Sequence, residues 1–83
     1  MLSKVEIDIL KHLSDEGLVD QMNSRTTKRI SEIIGINYYR VRSNLIHLKL
    51  LGLVDQGFKE KSSNTFYITK NGQKNIPQWR GIN

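Results

Sequence analysis

The chain of 83 residues has no cysteine. That excludes disulfides, a thiolate nucleophile and thiolate metal ligands. The two histidines, His12 and His47, are far apart in sequence. With no cysteine to join them, a dedicated zinc or copper site is not credible, and no cofactor is expected. Alanine is also missing, while Ile, Asn and Lys are frequent. This is the pattern of AT-rich codon usage, a statement about the genome rather than about function. Long apolar runs are absent too. The longest near-continuous stretch is Leu50-Leu51-Gly52-Leu53-Val54, against the roughly 18 residues that a membrane span needs. Glu6, Asp8, Asp15 and Glu16 interrupt the amino-terminal apolar residues, so no signal peptide is read there. A cytoplasmic, soluble protein with no membrane partner is the simplest expectation. A chain this short buries only about 60–65% of its unfolded surface, enough for one core but not for a core plus a deep cleft. An enzyme is disfavoured on that ground alone. No nucleophile–base pairing, phosphate loop or metal-ligand spacing argues otherwise.

Acidic charge is scarce and unevenly placed. There are 13 Lys and Arg against 8 Asp and Glu, a net of +5. Residues 1–24 hold two basic and five acidic residues, net −3, whereas residues 25–83 hold eleven basic and three acidic, net +8. A basic balance on a small chain points to a polyanionic partner, and the split assigns it to the later segment.

Ser3-Lys4-Val5-Glu6 has the spacing of a capping box. Val5, Ile9 and Leu13 follow on one helical stripe and Gly17 supplies a stop, so a first helix is expected over about 3–15. His12 lies off that stripe and reads as a surface or helix-end residue. Residues 18–25 read as a connection with room for a short strand at Leu18-Val19. Thr26 or Thr27 can cap a second helix over 27–34, with Ile30, Ile33 and Ile34 on its apolar face and Gly35 at its end. Asn37 can cap a third helix over 38–51, with Val41, Leu45 and Leu48 inward and Gly52 as its stop. Two helices joined by Gly35-Ile36-Asn37 carry the helix-turn-helix signature. After Gly52 the period shortens to two. Val54, Gln56 and Phe58 share one side of an expected strand, and Thr65 to Thr69 form a second around the turn Ser62-Ser63-Asn64. A short helical segment follows Thr69, and Pro77 ends regular structure.

This order of elements resembles the bacterial winged-helix DNA-binding domain of MarR- and ArsR-type regulators. Gly35-Ile36-Asn37-Tyr38-Tyr39-Arg40-Val41-Arg42-Ser43-Asn44-Leu45 looks like the family's G-I-S-x-x-T-V-S-x-x-L recognition helix. Leu48-Lys49-Leu50-Leu51-Gly52-Leu53-Val54 looks like its L-x-x-x-G-L-I exit, and Tyr67-Ile68-Thr69-Lys70-Asn71-Gly72 like its Y-x-L-T-x-x-G ending of the wing. The resemblance implies an α+β winged helix-turn-helix: a three-helix core, a β-hairpin wing, and a domain over 1–76 with a carboxy-terminal tail over 77–83. It also implies that helix three enters the major groove of double-stranded DNA while the wing touches backbone or minor groove. Larger members add helices for dimerisation and often a ligand pocket, for which this chain leaves no room. ArsR-type metal sensing uses Cys/His clusters, which are absent here.

Within that frame, candidate base-reading residues are Tyr38, Tyr39, Arg40, Arg42, Ser43, Asn44 and His47. Arginine pairs bidentately with guanine and asparagine with adenine, whereas a tyrosine can stack or bond a phosphate. Arg25, Thr27, Lys28 and Arg29 surround the start of helix two and suit a phosphate. Lys59, Lys61, Ser63 and Asn64 form a polar, basic wing tip. Ile46 and Leu50 point outward one turn apart. They either pack beneath the wing strands, the preferred reading, or form a protein contact together with Trp79 and Ile82. Sequence-specific DNA binding by a small transcriptional regulator of bacterial, phage or plasmid type is the leading expectation, and a palindromic operator would imply a homodimer. A protein-docking winged helix and a non-specific architectural DNA binder are the alternatives.

Overall fold

A computed structural model describes residues 2–76. Trp79, Ile82 and Pro77 lie outside the described residues. The first helix, α1 (Lys4–Asp15), begins at a complete capping box: the Ser3 Oγ accepts from the Glu6 amide and a Glu6 carboxylate oxygen accepts from the Ser3 amide. Its stripe of Val5, Ile9, Leu10 and Leu13 is buried. The helix-turn-helix follows as α2 (Thr27–Ile34) and α3 (Tyr38–Leu50). Gly35, at φ 72°, makes the turn between them in the left-handed region, where a Cβ would be strained. Asn37 then starts α3 by accepting from the amides of Tyr39 and Arg40.

The core follows from this patterning. Ile9, Leu10 and Leu13 of α1 meet Ile30 of α2 and Val41, Leu45 and Leu48 of α3, all fully buried. Each such side chain contributes about 1.5–3 kcal/mol by leaving water. Leu53, Val54, Phe66 and Ile68 close the core from the sheet side. The helix α3 is thus clamped along one stripe, and its opposite face is left to solvent.

The sheet corrects the sequence expectation in two places. It has three strands in the order β1 (Arg25–Thr26), β3 (Thr65–Ile68), β2 (Val54–Gln56), both pairings antiparallel. The additional strand lies at Arg25–Thr26, not at Leu18-Val19. Leu18 offers only its carbonyl, to the Ile68 amide at 2.9 Å. Moreover, β2 ends at Gln56 before reaching Phe58. Gly57 still donates to the Thr65 carbonyl, but the Phe58 amide turns away to the Gln21 carbonyl at 3.1 Å, and its ring is 61% exposed. Phe58 therefore does not continue the inward face begun by Val54.

Beyond β3, Thr69 caps a one-turn helix, α4 (Lys70–Lys74). Its hydroxyl accepts from the Gly72 amide at 3.0 Å and donates to the Gly52 carbonyl at 2.7 Å. The end of the wing is thereby tied to the exit of α3. Gly72 is buried so closely that an added Cβ would stand 2.1 Å from the Leu53 carbonyl oxygen. Backbone contact across α4, rather than a turn, demands the glycine in that motif.

Candidate nucleic-acid interface

Three elements converge on one groove. The amino-terminal turn of α2 supplies Lys28, α3 supplies Tyr38, Arg42 and Ile46, and the wing supplies its tip. The groove encloses about 500 Å³. Each wall is set by a local feature. Thr26 caps α2 by accepting from the Arg29 amide at 3.2 Å, and this capped end lines the groove. The wing tip is closed by reciprocal backbone bonds between Glu60 and Ser63, at 3.0 and 2.9 Å. Lys61 and Ser62 occupy positive φ at its apex, 53° and 88°. Two such residues in succession are the requirement of the mirror-image turn that matches hairpin twist.

On α3 the structure leaves Tyr39, Arg40, Arg42 and Ser43 exposed and Tyr38 at the groove wall. Among the described residues, neither Arg40 nor Arg42 has a carboxylate partner. Tyr38 and Tyr39 pack edge to face, with ring centroids 5.1 Å apart. That contact fixes the two phenols at the leading end of the helix. Lys59, Lys61, Ser63 and Asn64 are all exposed on the wing.

Three of the expected contact residues are engaged by partners within the protein, and a fourth, Thr27, lines the groove but is buried. His47 turns toward α1, where its Nδ1 meets the buried Glu6 carboxylate. Burial pushes the Glu6 carboxyl up, but the Ser3 amide and the His47 ring outweigh it and hold it below the ordinary carboxylate range. Asn44 is half-buried and its amide donates back to the Arg40 carbonyl at 2.8 Å, so that donor is spent within the helix. Arg25 folds onto α1. Its Nη1 lies 2.9 Å from the His12 Nε2 and 3.4 Å from Glu16. Thr27 is buried, and the capping hydroxyl is that of Thr26. At the start of α2 the basic groups left in solvent are Lys28 and Arg29, the latter beside Glu32 at 3.6 Å.

His12 likewise departs from a plain surface role. An arginine is always protonated and donates, so the Nε2 facing it accepts and the ring is neutral. Burial, and then the Arg25 charge, hold the His12 pKa below its ordinary value.

The outward apolar pair is not covered by the wing strands. Ile46 is 43% exposed in the groove wall and Leu50 is 81% exposed at the far end of α3. Five groove residues, Thr26, Gln56, Glu60, Ser62 and Phe66, were not among the site residues expected from the sequence. Gln56 lies on β2 between the tip and the helix, and Glu60 places one acid beside the wing lysines. The alternation of the β2 strand was the available signal for Gln56. Glu60 was visible only as a lone acid within a basic segment.

The architecture is a winged helix-turn-helix of α+β class: three helices around one core, and a hairpin standing beside the second helix of the motif. Solved structures share it. TubR from Bacillus megaterium pBM400 superposes with a TM-score of 0.81 at 16% identity, covering 99% of this chain and 89% of TubR. The S. aureus MepR–DNA complex matches with 0.77 at 16% identity over 98% of this chain and 64% of MepR. The regulator BldR from Sulfolobus solfataricus matches with 0.74 at 21% identity over 90% of this chain and 50% of BldR. The chain thus spans most of TubR but two thirds or less of the other two. No family model matches the chain, and no curated protein does. No helix among the described residues is long and apolar enough to cross a membrane.

Proposed function

We propose that this chain is a small transcriptional regulator that binds double-stranded DNA in a sequence-specific manner, with α3 in the major groove and the wing on the backbone or minor groove. One observation carries the reading. Basic groups from three separate elements, Lys28, Arg42 and Lys61, line one groove while the acidic residues of the chain lie mainly on α1 and the turn after it. A duplex is the polyanion with matching shape, and the MepR neighbour was solved as a DNA complex. Arg40, Arg42, Ser43 and Tyr39 are the side chains left to meet base edges. Arginine forms a bidentate pair with guanine that is worth about 1–3 kcal/mol of discrimination. Lys28, Arg29, Lys59 and Lys61 supply phosphate contacts, which position the protein without reading sequence.

Selection of bound duplexes from a random pool tests the proposal. A defined consensus is expected, and a palindromic one with half-sites about 10 base pairs apart, or a multiple, indicates a homodimer. Arg42→Ala relaxes base preference at one position, whereas Lys61→Ala weakens binding to all sequences alike. Selection that returns no consensus, with binding intact, favours an architectural DNA binder. Failure to bind any duplex at low salt overturns the proposal.

A second reading has its own observation. Leu50 and Leu51 are 81% and 47% exposed at the end of α3, outside the groove lining. A module that docks on another protein or on a second copy through this end retains its partner at high salt. DNA does not.

A further inference from the structure

Ile46 sits where an apolar side chain has least reason to be. It lies on α3 one turn beyond Arg42, 43% exposed, in the wall of a groove whose lining includes the basic groups of Lys28, Arg42 and Lys61, one acid, Glu60, and the rings of Tyr38 and Phe66. The wing strands, whose Gln56 and Phe66 line the same groove, still leave 43% of it exposed. An apolar protein partner entering here would strip water from those basic groups without pairing them, a cost of several kcal/mol per ion. A duplex pairs them. The major groove offers donors, acceptors and a single kind of apolar group, the C5-methyl of thymine.

We propose that Ile46 reads one thymine, packing its exposed methyl groups on the base's C5-methyl. This rests on the DNA-binding reading above and adds a specificity-determining residue to it. Spacing makes the inference quantitative. Four residues of helix advance about 6 Å. Base pairs stack about 3.4 Å apart. A helix in the major groove runs obliquely to the DNA axis, so the thymine read by Ile46 lies within about two base pairs of the base read by Arg42. Leu50, a further turn along, does not line the groove and carries no such role.

The test uses the full chain and the duplex that it selects. Each thymine in turn is replaced by deoxyuridine, which removes only the methyl group, and affinity is measured by titration. One position, within about two base pairs of the Arg42 contact, is expected to weaken about fourfold, the effect of one methyl group leaving an apolar contact. Ile46→Ser is expected to lose the same factor on the thymine duplex and to ignore the deoxyuridine swap. Ile46→Val, which keeps a branched apolar end, retains the sensitivity. Wild-type protein that tolerates deoxyuridine at every position overturns the inference while leaving DNA binding intact. Ile46→Ser that remains sensitive to the swap overturns it too. Equal loss on thymine and deoxyuridine duplexes would overturn it and assign Ile46 to a contact between copies. Absence of any duplex binding removes this inference together with the proposed function.

Discussion

Replacing His47 with alanine separates a structural tie from a DNA contact. The Glu6 carboxylate is buried, with one oxygen accepting from the Ser3 amide and the other facing His47. In His47→Ala the second oxygen of the buried carboxylate loses its partner. A hydrogen bond to a charged group is worth about 1.5–3 kcal/mol. The His47 side chain is 53% exposed, so water recovers part of that bond. A net loss of about 1–2 kcal/mol is expected. For a domain of this size that is a fall in Tm of roughly 5–15 °C. Urea and thermal unfolding followed by circular dichroism measure it. The consensus of selected duplexes should not change. An unaltered unfolding midpoint with a changed base preference would refute the reasoning and return His47 to the readout face.

Further predictions follow from the same contacts. Gly72→Ala drives a Cβ to 2.1 Å from the Leu53 oxygen and 2.7 Å from the Ile68 Cγ1. Overpacking costs about 1–3 kcal/mol and outweighs a helix-propensity gain of at most about 1 kcal/mol. A neutral or raised urea midpoint would contradict the close approach. Stability should also fall on acidification in two stages. His12 and Glu6 both have depressed folded-state pKa values, from ordinary values of 6.5 and 4.5, so each binds fewer protons folded than unfolded. Their contributions are complete above those values and are lost as pH drops through the folded ones, His12 first. Urea midpoints taken from about pH 8 down to about pH 3 report both stages, and His12→Gln removes the upper one. A midpoint that does not fall between about pH 7 and pH 5 in the wild type would count against the neutral His12–Arg25 contact.

The helical half of the molecule was legible because its determinants are local. Ser3, Asn37 and Gly35 act within one turn of themselves, and Val41, Leu45 and Leu48 declare the buried side of α3 by spacing alone. Strand β1 was not legible. Arg25 and Thr26 carry no period and become a strand only because β3 runs beside them. The site was legible as a region and less so by residue. His47 was placed on the reading face because its partner, Glu6, is 41 residues away. Glu6 was itself explained by its local capping role, and nothing in sequence shows that one carboxylate serves both. The bonds of Arg25 to His12 on α1 and to Glu16 just beyond it were hidden for the same reason. Helix geometry places a side chain's direction to within a turn. Whether that side chain is then taken up by a neighbour is decided by tertiary packing.

The central claim is that the groove between α2, α3 and the wing is a duplex-binding surface. The salt dependence of duplex affinity tests it most directly. Neutralisation of each phosphate contributes a slope of about −0.9 in log K against log salt. Lys28, Arg42 and Lys61 line the groove, and Arg29, Arg40 and Lys59 are exposed on the elements that form it. With four to six of them engaged, a slope of roughly −4 to −5 is expected, reduced by about one in Lys61→Ala and unchanged in Lys11→Ala on α1. A slope near zero, or one that Lys11→Ala flattens as much as Lys61→Ala does, would contradict the account.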